Sequence, residues 1–108
     1  MILPEGLLDY FELVSVKFRD DQYLISLEEK NLIPKRYLEE KLLSKGFFDE
    51  ITIQDFPIKG QASFLKVKRR RWTVESTGKI VSRNWDLAAK GIRMTEEFAY
   101  FLKGIRRN

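Results

Sequence analysis

From Phe11 to Val74 the apolar residues recur mostly at every second position, and this spacing, not the helical three-to-four, narrows the fold first. Side chains on a strand alternate between its two faces, so a period of two means one face turned to a core and one to solvent. Val14, Val16 and Phe18 recur against Ser15 and Lys17, which predicts a strand over 11–18. Asp20 and Asp21 supply a turn, because short acidic side chains tolerate left-handed backbone. Tyr23, Ile25 and Leu27 then alternate with Leu24, Ser26 and Glu28 on the return strand of a β-hairpin.

Between Asn31 and Gly46 the period changes. Pro34 fits a first helical position, Leu38 and Leu42 lie four apart and Gly46 fits a terminator, which reads either as a short helix or as a loop draped over the sheet. Alternation returns from Phe48 to Phe56 through Ile51 and Ile53, and Pro57 to Gly60 reads as a turn. The next arm, Gln61 to Val74, places Leu65 and Val67 on one face and Lys66, Lys68 and Arg70 on the other, with Arg69 and Arg71 continuing the face of Leu65 and Val67. Glu75 to Gly78 turns the chain again and Lys79 to Trp85 pairs back.

Helices are also expected at the two ends. Pro4 to Tyr10 fits one helical turn, with Pro4 near its start, where a missing amide hydrogen costs nothing. Thr95 caps a final helix, in which Phe98, Phe101, Leu102 and Ile105 follow the i, i+3, i+4, i+7 spacing of one buried stripe. Glu96 and Glu97 in its first turn and Arg106 and Arg107 in its last suit the helix dipole, and they set the expected end of the unit near Asn108. The expected class is α+β, mostly β: two or more antiparallel hairpins closed by a C-terminal helix, in a single domain over 1–108 without repeat or linker.

Such a fold must be held by its core alone, because the 108 residues include no cysteine and no histidine. Disulfides are impossible, and structural zinc has neither thiolate nor imidazole to bind, so no metal and no cofactor are expected. The same absences remove Cys–His and Ser–His–Asp arrangements, leaving Asp, Glu, Lys and Tyr as acid–base groups. The expectation is a non-enzyme, with no catalytic residue and no small-molecule substrate. Apolar runs of a few residues fall far short of the roughly 20 that span a bilayer, and no leader pattern opens the chain, so a cytoplasmic location is expected.

Charge divides the chain in two. Residues 1–57 hold 7 Lys and Arg against 12 Asp and Glu, a net of −5, while residues 58–108 hold 13 against 4, a net of +9. The second half therefore suggests a polyanion-binding face, unless it pairs with the acidic half. Its densest part is Lys66-Val67-Lys68-Arg69-Arg70-Arg71, five cations in six positions. Such a run repels itself and is relieved by phosphate, which arginine binds bidentately and lysine as a point charge. The candidate DNA-binding residues are Lys66, Lys68, Arg69, Arg70 and Arg71, with Arg83, Lys90 and Arg93 further along. Trp72 and Trp85 are candidates for stacking on bases, against the alternative that a tryptophan in a small β unit belongs to its core.

The order of these features resembles the N-terminal region of bacterial insertion-sequence transposases, which begin with a zinc-ribbon-like domain and continue into a helix-turn-helix and a catalytic domain with three acidic residues. The resemblance covers nearly the whole chain. Leu13, Val14, Val16, Leu24, Ile25 and Leu27 fit the opening apolar pattern; Asp55, Pro57 and Gly60 fit an Asp-x-Pro-x-x-Gly turn. Phe64 to Arg71 fits an apolar and basic strand ending in arginines, and Phe98 to Ile105 the closing helix. It implies a zinc-ribbon-like arrangement, but the ligands should fall near Ile33 to Glu40 and between Trp72 and Lys79, where no cysteine stands. Tyr37, Leu38, Trp72 and Val74 are the apolar residues expected to pack in place of the metal. The resemblance further implies that the catalytic acids lie on another domain or a separately encoded subunit. This chain would then recognise or position insertion-element DNA; the alternative is a protein-interaction module docking on the catalytic subunit.

Overall fold

The alternating stretches form strands in a computed structural model that describes residue 3 and residues 6–58, 61–90 and 95–106. A helical turn, α1 (Leu7–Tyr10), leads into β1 (Phe11–Arg19) and β2 (Gln22–Glu29), an antiparallel hairpin. Its turn residues Asp20 and Asp21 have φ of 51° and 60°, two consecutive left-handed residues that match a two-residue turn to the twist of the strands. Then come β3 (Leu42–Phe47), β4 (Ile51–Ile58), β5 (Gln61–Lys68), β6 (Arg70–Val74) and β7 (Ile80–Val81), followed by α2 (Trp85–Ala89) and α3 (Glu96–Arg106). The class is α+β, mostly β. Among the described residues no helix is long and apolar enough to cross a membrane.

The strands make two sheets, ordered β1-β2-β5-β4 and β3-β6-β7. β4 pairs β5 and β3 pairs β6, both antiparallel, so residues 42–58 and 61–74 are the arms of one long ribbon shared by the two sheets. At the joint the Phe48 N–H donates to the Arg69 carbonyl at 2.9 Å. The inner strands β2 and β5 run parallel, with Ile25 beside Leu65 and Leu27 beside Val67.

One face of the four-stranded sheet buries Ile25, Leu27, Ile51, Ile53, Phe56, Leu65 and Val67. Over it lies α3, whose stripe of Phe98, Phe101, Leu102 and Ile105 is buried as its spacing predicts. Thr95 caps that helix, its Oγ1 accepting from the Phe98 N–H at 3.1 Å. Gly104 faces Ile53 so closely that a Cβ there would come within 2.6 Å of its Cγ1, which explains a glycine inside a helix. A second cluster joins Trp72, Val74 and Val81, with Tyr37 and Leu42 packed against it. Leu38, expected in that cluster, is 67% exposed, because the chain turns away at the 3₁₀ turn Lys35–Tyr37.

Other expectations change locally. The segment 31–46 is a loop with that single turn and then β3, where Gly46 (φ 79°) sits at a register shift between Ser44 and Phe47 and ends no helix. Pro57 and Ile58 belong to β4, paired with Ala62 and Gln61, while Lys59 and Gly60 lie outside the described residues. Asp55 (φ 57°) belongs to a bulge between Ile53 and Phe56 and not to a turn. Of 79–85 only Ile80 and Val81 form a strand, with the Lys79 carbonyl accepting from the Val74 N–H at 2.8 Å. Trp85 instead opens α2, because the Asn84 side chain accepts the N–H groups of Asp86 and Leu87 at 3.0 and 3.2 Å. In β1, Leu13 pairs Leu27 and Ser15 pairs Ser26, so Val14 is the extra residue of a bulge. Pro4 and Arg107 lie outside the described residues.

Candidate nucleic-acid interface

The basic run crosses the joint between the two sheets. Before Arg69 the buried positions are Leu65 and Val67; after it they are Trp72 and Val74, so the alternation slips by one residue. Lys66 and Lys68 therefore point away from the core, Arg70 points inward, and Arg71 points outward opposite Trp72. This corrects the expected arrangement, in which Arg70 shared a face with Lys66 and Lys68 while Arg71 joined Leu65 and Val67. The ribbon has to bend to serve two sheets, and an extra residue is how a strand bends.

What draws Arg70 inward is Glu29, the next member of the core-facing row Ile25 and Leu27 and only 1% exposed. The Arg70 N–H donates to Glu29 Oε1 at 3.0 Å and Arg70 Nε to the Glu29 carbonyl at 3.1 Å. Arg83 Nε donates to Glu29 Oε2 at 3.0 Å, and its Nη2 donates to the Leu32 carbonyl. The Arg83 guanidinium also lies over the Tyr10 ring, 4.8 Å from its centroid. Nearby, Trp72 Nε1 donates to Asn31 Oδ1 at 2.8 Å. A buried carboxylate persists only when it is paired and hydrogen-bonded, and here its partners come from β6 and from the segment after β7. The cluster thus ties the end of β2 to the second sheet.

Burial pushes the Glu29 carboxyl above its usual value of 4.5, against the Arg70 amide and the Arg83 guanidinium, which hold it down. With the folded value raised, the native state holds this proton more tightly than the unfolded chain. The stability that follows is fully present below about 4.5 and is lost as pH rises through the folded value. The stability of the parent relative to Glu29→Gln is therefore expected to fall as pH rises from the unfolded value, measured by urea unfolding at a series of pH values. A difference that grows over that range contradicts the assignment.

The two outward lysines are held loosely. Lys66 Nζ lies 3.9 Å from Glu50 and Lys68 Nζ 3.9 Å from Glu28, half-exposed pairs of the kind that contribute about 0–1 kcal/mol. Arg71 Nε donates to the Lys45 carbonyl at 2.9 Å, which brings Lys45 of β3 to the same edge of the ribbon. Arg69 lies over the Phe48 ring, 5.3 Å from its centroid. Lys90 is exposed just after α2, and Arg93 lies outside the described residues.

Besides Arg70, which is tied to Glu29, three more of the candidate residues serve the fold instead. Arg83 is committed to Glu29. Trp72 is fully buried in the second cluster. Trp85 is buried, stacked on Phe11 at 5.1 Å and edge-on to Tyr10 at 5.4 Å. Neither indole leaves a face for a base, because each is the largest side chain available to fill its part of the core. Glu29 and Lys45 were missed in the sequence, although the row Ile25, Leu27, Glu29 marks a carboxylate on the core side. Comparisons of the chain with protein-family models, curated proteins and solved structures found no match.

Proposed function

We propose that the chain is a DNA-binding module, the N-terminal one of a bacterial insertion-sequence transposase, which positions insertion-element DNA in the cytoplasm for a catalytic domain or subunit carried elsewhere. The observation that supports it is the division of the basic run. Arg70 and Arg83 are consumed by Glu29, whereas Lys66, Lys68 and Arg71 turn to the side of the ribbon away from the core, the lysines in weak pairs that phosphate can replace and Arg71 with one hydrogen bond to the Lys45 carbonyl. With both tryptophans buried, neither indole is available for single-strand stacking, which favours duplex backbone. The second cluster, Trp72, Val74 and Val81 with Tyr37 and Leu42, occupies the region where the resemblance would place zinc, in keeping with a cysteine-free member.

Binding to labelled duplex DNA is expected to weaken linearly in log affinity against log salt, with about 0.9 of slope for each phosphate contact and so roughly 2.7 from three cations. Fluorescence anisotropy across a salt series measures it; no binding at low salt, or a salt-independent affinity, overturns the reading. The alternative, docking on the catalytic subunit, is favoured by a cavity of about 330 Å³ between Tyr10, Pro34 and Ala88, rimmed by the exposed Leu32, Ile33 and Leu87.

A further inference from the structure

The two edges of the four-stranded sheet are unlike. Along β4 the edge is obstructed: Asp55 bulges, Pro57 has no N–H to offer, and the Tyr100 hydroxyl of α3 donates to the Gln54 carbonyl at 3.0 Å. Along β1, nine residues without proline have no strand beyond them among the described residues. Val16 pairs with the buried Ile25 and Phe18 with Tyr23, so both lie on the face that α3 covers, yet they are 40% and 53% exposed because the helix packs along β4. Val14, at the bulge, is 51% exposed. An open edge bearing three large apolar side chains is a template for strand addition.

We propose that this edge joins two copies of the chain, β1 against β1 and antiparallel, so that the two sheets continue as one of eight strands. The charge order along the strand selects that occupant. Glu12 stands near one end and Lys17 and Arg19 near the other. Antiparallel self-pairing carries Glu12 toward the basic end of the second copy, and symmetry makes the contact twice, whereas parallel pairing sets like charges together. A two-fold contact uses one patch on both partners, which a strip complementary to its own reverse satisfies. Val16 and Phe18 of both copies then meet on one face, in the gap between the two α3 helices.

Sedimentation equilibrium without DNA tests this separately from the DNA reading. The parent is expected to pass from 12.8 kDa to twice that mass as concentration rises through a hundredfold range. Phe18→Asp and, separately, Val16→Lys should remain monomeric with an unchanged melting curve. Glu12→Arg should weaken association at least tenfold, and adding Lys17→Glu and Arg19→Glu to it should restore association. A parent that is monomeric throughout, or a dimer that none of Phe18→Asp, Val16→Lys and Glu12→Arg weakens, overturns the proposal. Should Phe18→Asp fail to fold, the charge exchange decides it, since it alters side chains at the sheet margin and leaves the buried core intact.

Discussion

Glu29→Ala is expected to destabilise the protein by about 3–5 kcal/mol in urea unfolding at neutral pH, because it removes one partner of a buried ion pair and strands the other. The Arg83 side chain is 9% exposed and its Nε would lose its acceptor, while the Arg70 N–H would lose Oε1. Against a total of about 5–15 kcal/mol for a domain, such a loss threatens folding at physiological temperature. Arg83→Leu combined with Glu29→Leu should be far milder than either charge deletion alone, since replacing both members by apolar groups leaves no unpaired charge. A single-site loss below about 1 kcal/mol would show that the cluster does not join the sheets.

A comparable loss is expected for Phe101→Ala, about 3–5 kcal/mol, the range for truncating a buried phenylalanine. Phe101 is fully buried, edge-on to Phe11 at 5.5 Å and tilted against Phe98 at 6.1 Å. The ring therefore links α3 to the start of β1, and its removal leaves a cavity between the two. If α3 were only lightly docked, the same substitution would change stability by under about 1 kcal/mol with an unchanged m-value.

Much of the fold could be read along the chain because its signals are local. The hairpin of β1 and β2 follows from alternation around Asp20-Asp21, and α3 from the Thr95 cap and its apolar stripe. Period two assigns faces but does not choose neighbours, so the parallel pairing of β2 with β5 had no local signal. The slip at Arg69 is likewise set from afar, by Glu29 at the end of β2 and by the two sheets that the ribbon serves. That slip is why the basic run could be located in the sequence while the roles of Arg70 and Arg71 were exchanged. The cap at Asn84 was local and readable, but the alternation of Ile80 and Val81 ran up to it and masked the start of α2. Val14, Val16 and Phe18 carry a core pattern yet stay exposed, since pattern alone shows neither the bulge at Val14 nor how far the helix covering Val16 and Phe18 reaches.

Whether direction divides the basic run into binding and structural cations is decided by one comparison of salt series on the same labelled duplex. The triple variant Lys66→Ala, Lys68→Ala and Arg71→Ala should lower the melting temperature only by what the Arg71 bond to the Lys45 carbonyl contributes, and lose about 0.9 of log–log salt slope for each phosphate contact removed, roughly 2.7 in all. Arg70→Ala should do the reverse, keeping the slope and lowering the melting temperature, because its side chain holds the Glu29 carbonyl and Ser44. A triple variant that binds as the parent does, with the same slope, contradicts the assignment of DNA to this face.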